Sequence, residues 1–97
     1  MNKYRISKLT ILDLEKIWVY TLEKWSKDQA DRYRDLLIDE IKYLADNFEI
    51  GKNVNYIKKG YKVSKVKSHL IFYIKADNII EIVRILHQRM DIENRLK

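Results

Sequence analysis

The sequence predicts an α+β domain: an N-terminal strand, an antiparallel two-helix hairpin packed on a three- to four-stranded antiparallel sheet, and a short C-terminal tail or helix. Three observations lead there. Apolar residues recur at helical spacing through the first half of the 97-residue chain and alternate with polar ones in the second. A serine with capping-box spacing divides the helical half into two helices. No proline and only two glycines interrupt the chain, so there is no linker, low-complexity stretch or solenoid repeat, and residues 1–97 read as one domain.

Taken in order, Lys3, Tyr4, Arg5, Ile6 and Ser7 alternate as a half-buried strand does, short enough for a place at or near an edge. From about Thr10 the period changes. Leu14, Ile17, Trp18, Thr21, Leu22 and Trp25 line one helical face, with Asp13, Lys16, Glu23 and Lys24 on the other. Ser26 to Gln29 then reads as the capping box of a second helix, whose apolar face is Ala30, Tyr33, Leu37, Ile41, Leu44 and Phe48. Gly51 is expected to end it in a left-handed conformation. So short a link makes the two helices antiparallel, and their combined apolar face seeks a sheet.

The second half supplies the sheet. Asn55 to Lys58 is a strand candidate, Gly60 punctuates, and Tyr61 to Val63 alternates cleanly until Val66 breaks the pattern, which predicts a bulge or strand end near Ser64 and Lys65. Leu70 to Ile74 is apolar on both faces and belongs at the centre. Asp77 and Asn78 make a hairpin turn, and Ile79 to Leu86 returns as a strand carrying Arg84 among apolar neighbours. The tail from Gln88 forms at most a short helix started by Asp91.

Twenty Lys plus Arg against fourteen Asp plus Glu give +6, but the surplus is not spread evenly. Residues 1–49 carry nine basic and ten acidic side chains, a net of −1; residues 50–97 carry eleven and four, a net of +7. Residues 52–75 hold seven lysines and no acid, a local field that attracts anions. With no cysteine there is no disulfide, zinc ribbon or thiol nucleophile, and a cytoplasmic setting is expected. The longest apolar run is Leu70 to Ile74, too short for a signal peptide core or a spanning helix, so no membrane partner is expected. So small a chain has little room for an enclosed cofactor cavity; no cofactor is expected, and two histidines so placed predict no metal.

Tyr4 to Ser7, Asp13, Leu14 and Ile17, Trp25 and Ser26 followed by Gln29 and Ala30, Gly60 and Tyr61, Ser68 to Tyr73, and above all Arg84 to Asp91 make the chain similar to ParE-type toxins of the RelE/ParE superfamily. The resemblance spans nearly the whole chain. It implies a type II toxin–antitoxin (plasmid stabilisation) system, with DNA gyrase inhibited by binding. It also implies a cognate small ParD-like antitoxin with a ribbon-helix-helix DNA-binding domain and an acidic C-terminal segment. RelE-type relatives instead cleave mRNA on the ribosome and place an arginine on the central strand where this chain has Leu70. An apolar residue there cannot stabilise charge on a phosphate, and no terminal Arg/Tyr or His/Tyr pair follows the last strand. The resemblance therefore favours a toxin without catalytic residues, with a RelE-type ribosome-dependent endoribonuclease as the alternative. In that alternative Lys62, Lys65 and Lys67 beside Tyr61 and Tyr73 approach RNA directly. A third reading is an inactive relative that titrates antitoxin.

The partner or target surface is expected over Lys58, Lys59, Tyr61, Lys62, Lys65 and Lys67, and over Arg84, His87, Arg89 and Asp91. Each residue also has a structural reading. The lysines form a solvated face; His87 and His69 make structural hydrogen bonds; Arg84 pairs with Asp91 or Glu81 while its stem packs; and Trp18 and Trp25 lie in the core, with interface anchoring as the alternative.

Overall fold

The computed structural model describes residues 4–96, so Lys3 of the expected first strand and the last tail residue, Lys97, lie outside the described residues. Strand β1 (Tyr4–Ile6) leads into helices α1 (Lys8–Lys24) and α2 (Lys27–Asp46). A 3-10 turn (Phe48–Ile50) and strands β2 (Lys52–Asn53), β3 (Lys62–Val66), β4 (His69–Ala76) and β5 (Ile79–His87) follow, and a single helical turn, α3 (Ile92–Arg95), closes the chain. This is the expected α+β class, with the hairpin on one face of the sheet. The sheet has five strands in the order β1-β5-β4-β3-β2 and is mixed. β1 joins it in parallel, Tyr4 opposite Ile80 and Ile6 opposite Ile82, while the other pairs are antiparallel. Alternation marks a strand without encoding the direction of its partner.

The helices begin where side chains meet the free N–H groups of a first turn. Ser7 Oγ accepts from Thr10 N at 3.1 Å, so α1 starts at Lys8 rather than near Thr10. Ser26 Oγ accepts from Gln29 N at 3.1 Å, as the capping-box spacing requires. α2 turns Ala30, Leu37, Ile41 and Leu44 into the core, and they pack on Val66, Ile71, Tyr73, Ile80, Ile82 and Ile85 of the sheet. A second cluster lies on the opposite face, where Phe72 and Leu86 meet Val54 from the loop before β3 and Leu96 from the tail. Because both faces are covered, β4 is apolar on both, and each large side chain so buried contributes about 1.5–3 kcal/mol relative to exposure.

Several expectations need correction. Asn55 to Lys58 is a turn: Asn53 Oδ1 accepts from Asn55 N, Ile57 N and Lys58 N both donate to Val54 O, and Gly60 sits at φ +86°. Local bonding by asparagine overrides the strand there, which leaves β2 two residues long. β3 runs without interruption to Val66, because Val63 serves the outer cluster and Val66 the inner one, so the broken alternation needs no bulge. The irregularity falls instead in β4–β5 pairing, between Phe72 and Tyr73. Gly51 is not a left-handed cap, since its φ is −69° and α2 ends at Asn47. It is glycine because a Cβ would lie 2.0 Å from the Tyr73 hydroxyl, which donates to Phe48 O.

A residue of α1 and its C-cap also lie opposite to expectation. Asp13, placed on the solvent face by its charge, is 7% exposed, and Trp25, read as core, is 71% exposed. Trp18 is half-buried and donates its ring N–H to Asp31 at 2.9 Å.

Candidate functional site

Where β1 ends, α1 takes over the edge of β5. Ser7 N and Thr10 Oγ1 donate to Ile82 O, Ser7 Oγ donates to Val83 O, and the Asp13 carboxylate accepts from Ile85 N at 3.0 Å. The same carboxylate takes both Nε and Nη2 of Arg84 at 2.8 Å, a bidentate pair with the arginine side chain 16% exposed. Arg84 therefore pairs with Asp13, not with Asp91 or Glu81; Glu81 pairs with Arg5. The spacing of 71 residues gave no local signal for this contact.

At the other end of α1 the helical hairpin stands away from the sheet and leaves a groove of about 790 Å³. Its walls are Lys16, Ile17, Tyr20 and Thr21 of α1, the linking Trp25, Gln29 and Tyr33 of α2, the turn residues Lys67 and Ser68, His69 of β4, His87 of β5, and Met90. None of these is an acid. Trp25 and Tyr20 remain largely open to solvent, and Met90 is partly so. Lys24 lies 6.0 Å from the centre of the Tyr20 ring, at the limit of a cation–π contact.

The floor is a histidine pair. His69 and His87 oppose each other across β4 and β5, rings edge to face with centroids 5.3 Å apart. The Tyr33 hydroxyl is 2.6 Å from His69 Nδ1 and 3.2 Å from Val66 O, and its one proton serves only one of them at a time. Burial, and then the neighbouring His87, push His69 down to about 4, so its ring is neutral at pH 7. Burial likewise pushes the Tyr33 phenol up. His87 Nδ1 accepts from Arg89 N at 3.1 Å, which places the hydrogen of its neutral ring on Nε2.

The expected surface residues are dispersed by the fold. Lys67, held at φ +53° in the β3–β4 turn, and His87 line the groove. Arg89 is exposed beside it, while Asp91 caps α3. Lys58 donates to Leu96 O and lies over the Tyr61 ring on the outer face. Lys62 reaches Gly51 O and the Phe48 ring near the opposite edge of the sheet. Lys59 and Lys65 are exposed, Lys65 on the strand position opposite Leu70. Leu70 itself packs on the outer cluster, away from the groove. Sequence reasoning missed Lys16, Tyr20 and Met90. An aromatic on the charged side of a helix, as Tyr20 is, was the available signal.

Among the described residues no helix is long and apolar enough to cross a membrane. A family model described as the ParE toxin of the type II toxin-antitoxin system parDE matches residues 4–92. Toxin ParE1 of Mycobacterium tuberculosis (strain H37Rv) is 36% identical over 98% of both chains. Toxin ParE1 of Caulobacter vibrioides is 32% identical over 99% of both. In fold, a solved chain of the chromosomal ParDE TA system from P. aeruginosa matches with a TM-score of 0.79 at 15% identity, covering 90% of this chain and 96% of that one.

Proposed function

The chain belongs to the ParE toxin family of type II toxin–antitoxin systems, and from that premise we propose that it inhibits DNA gyrase by binding and is neutralised by a cognate ParD-type antitoxin, in the cytoplasm. The antitoxin's acidic, apolar-studded C-terminal segment seats in the groove. The observation that carries this reading is the groove's composition: exposed Trp25 and Tyr20 flanked by Lys16 and Lys67, with no acid in the lining. Charge of that sign steers an acidic segment, and the aromatic surface supplies affinity once it arrives. Coupled folding of such a tail is how a short antitoxin covers a surface of this size.

Two observations support a toxin without catalysis. Arg84 is committed to Asp13, and the position of the RelE-type arginine is Leu70, packed on the outer face. A second reading, a ribosome-dependent endoribonuclease, draws on Tyr33, His69, His87 and Lys67 around one groove, groups capable of acid–base work.

Purified chain added to a gyrase supercoiling assay, alongside a cell-free translation reaction with primer extension on the mRNA, separates the two. Inhibited supercoiling, relieved by the ribbon-helix-helix protein encoded beside the toxin gene, is the expected result. Intact supercoiling with ribosome-dependent cuts in mRNA replaces it with the endoribonuclease.

A further inference from the structure

His87 lines the groove floor, and among the described residues its Nε2 makes no hydrogen bond. Its Nδ1 is taken by Arg89 N, and its partner His69 is turned onto Tyr33. The titratable and charged groups around it are Lys16 from α1, Tyr20 and Tyr33 from the two helices, Lys67 from the turn and His69 from β4, with Arg89 two residues further along its own segment. Among the described residues no acid lines the groove: Asp91 is turned to Asn94 as the cap of α3, and Asp13 is bound to Arg84. In the free protein an imidazolium at His87 thus has cations, phenols and a second imidazole around it, and no acid among the described residues that line the groove.

An acidic segment reverses that balance. A carboxylate placed beside Nε2, with a large apolar side chain against Trp25 and Tyr20, gives the ring a charged acceptor in a partly desolvated hollow, where such a pair is stronger than in water. We propose that seating of the antitoxin's acidic segment in this groove draws a proton onto His87, so that assembly of the toxin–antitoxin complex is linked to pH. The inference rests on the antitoxin reading above and adds the chemistry of one contact. It fixes the sign of the linkage: the bound state holds more protons than the free state, so affinity is highest at low pH and falls as pH rises.

The test is calorimetric titration of the ribbon-helix-helix protein encoded beside the toxin gene into the full chain. Runs at pH 6, 7 and 8 are repeated at pH 7 in phosphate and in Tris, whose ionisation enthalpies differ. Expected are a Kd about tenfold weaker at pH 8 than at pH 6, equivalent to about one proton-coupled pKa unit, and a net proton uptake read from the buffer difference. His87→Gln is expected to lose the pH slope and the proton uptake. Should that variant misfold, the His87 ring resonances of the wild type, followed by NMR in free and bound chains across the same pH range, report the protonation directly. Tight binding without pH dependence, or a slope that survives in His87→Gln or is unaccompanied by His87 protonation, overturns the inference and leaves the antitoxin reading intact. No binding at any pH overturns both.

Discussion

The two ends of α1 handle their side chains in opposite ways. At the first turns the buried groups are polar: Thr10 and Asp13 are almost fully enclosed, and each hydrogen-bonds to β5. At the last turns large aromatics are exposed: Tyr20 and, at the C-cap, Trp25 stand in solvent at 61% and 71% exposure beside the groove. The first arrangement completes a sheet edge that a three-residue strand leaves unfinished, since unpaired strand edges pair with whatever is available. The second leaves aromatic surface open beside the groove, the kind of patch that marks an interaction site. Buried polarity at the first turns of α1 serves the architecture of the sheet edge, whereas the aromatics at its other end border the groove.

The largest effect that tests this contrast is at the clamp. Asp13→Ala leaves the Arg84 guanidinium and Ile85 N–H without their carboxylate, and loss of one member of a buried pair costs about 3–5 kcal/mol. Urea denaturation is expected to show it as a lowered midpoint at unchanged slope. Asp13→Asn, which keeps the shape and removes the charge, should cost less. A loss within experimental error in Asp13→Ala would move the clamp from architecture to ornament.

Next is an acid weakness at the groove end. His69 is held down to about 4 in the folded chain against an ordinary 6.5, so between those values the unfolded chain binds the additional proton. Stability from this site is therefore complete above about pH 6.5 and drains away as pH falls toward 4, by about 2 kcal/mol once partial exposure is allowed for. Thermal melts at pH 7 and pH 4.5 measure it. His69→Gln is expected to flatten the slope, and an unchanged slope would assign the acid lability elsewhere. A smaller effect returns to the clamp: Thr10→Val removes the hydroxyl bonded to Ile82 O but leaves that carbonyl its bond from Ser7 N, so about 1 kcal/mol is expected in the same denaturation experiment.

The same contrast explains what the sequence disclosed. Helical spacing and alternation located the hairpin, the central β4 and the turn at Asp77, because each of those segments buries one periodic face or two. The parallel docking of β1 was illegible, since a three-residue alternation carries no direction. Asp13 was misread because charge predicts exposure unless the counter-charge is known, and Arg84 lies 71 residues away. Trp25 was misread for the mirror reason: an aromatic at core spacing predicts burial unless a groove opens beneath it. β2 was displaced from Asn55–Lys58 to Lys52–Asn53 because asparagine side chains bonded the local backbone first. The lysine-rich stretch was visible as composition, but only the fold distributes it over two faces and an edge, leaving Lys67 alone of the seven at the groove.

The smallest change in stability belongs to the residue with the largest expected change in binding. Trp25→Ala removes a side chain that is mostly in solvent already, so the melting temperature is expected to move by no more than the shift from about 0.5 kcal/mol. Trp18→Ala, eliminating a half-buried ring bonded to Asp31, is the control and should destabilise distinctly more. If the groove is the antitoxin's seat, Trp25 is its exposed aromatic anchor, and truncating such an anchor costs 2 kcal/mol or more, about a 30-fold loss of affinity. The pair of variants therefore separates the two roles of a tryptophan on one helix: one should weaken folding, the other recognition. A Trp25→Ala chain that melts with Trp18→Ala, or that binds antitoxin as the wild type does, would erase the distinction between the two ends of α1.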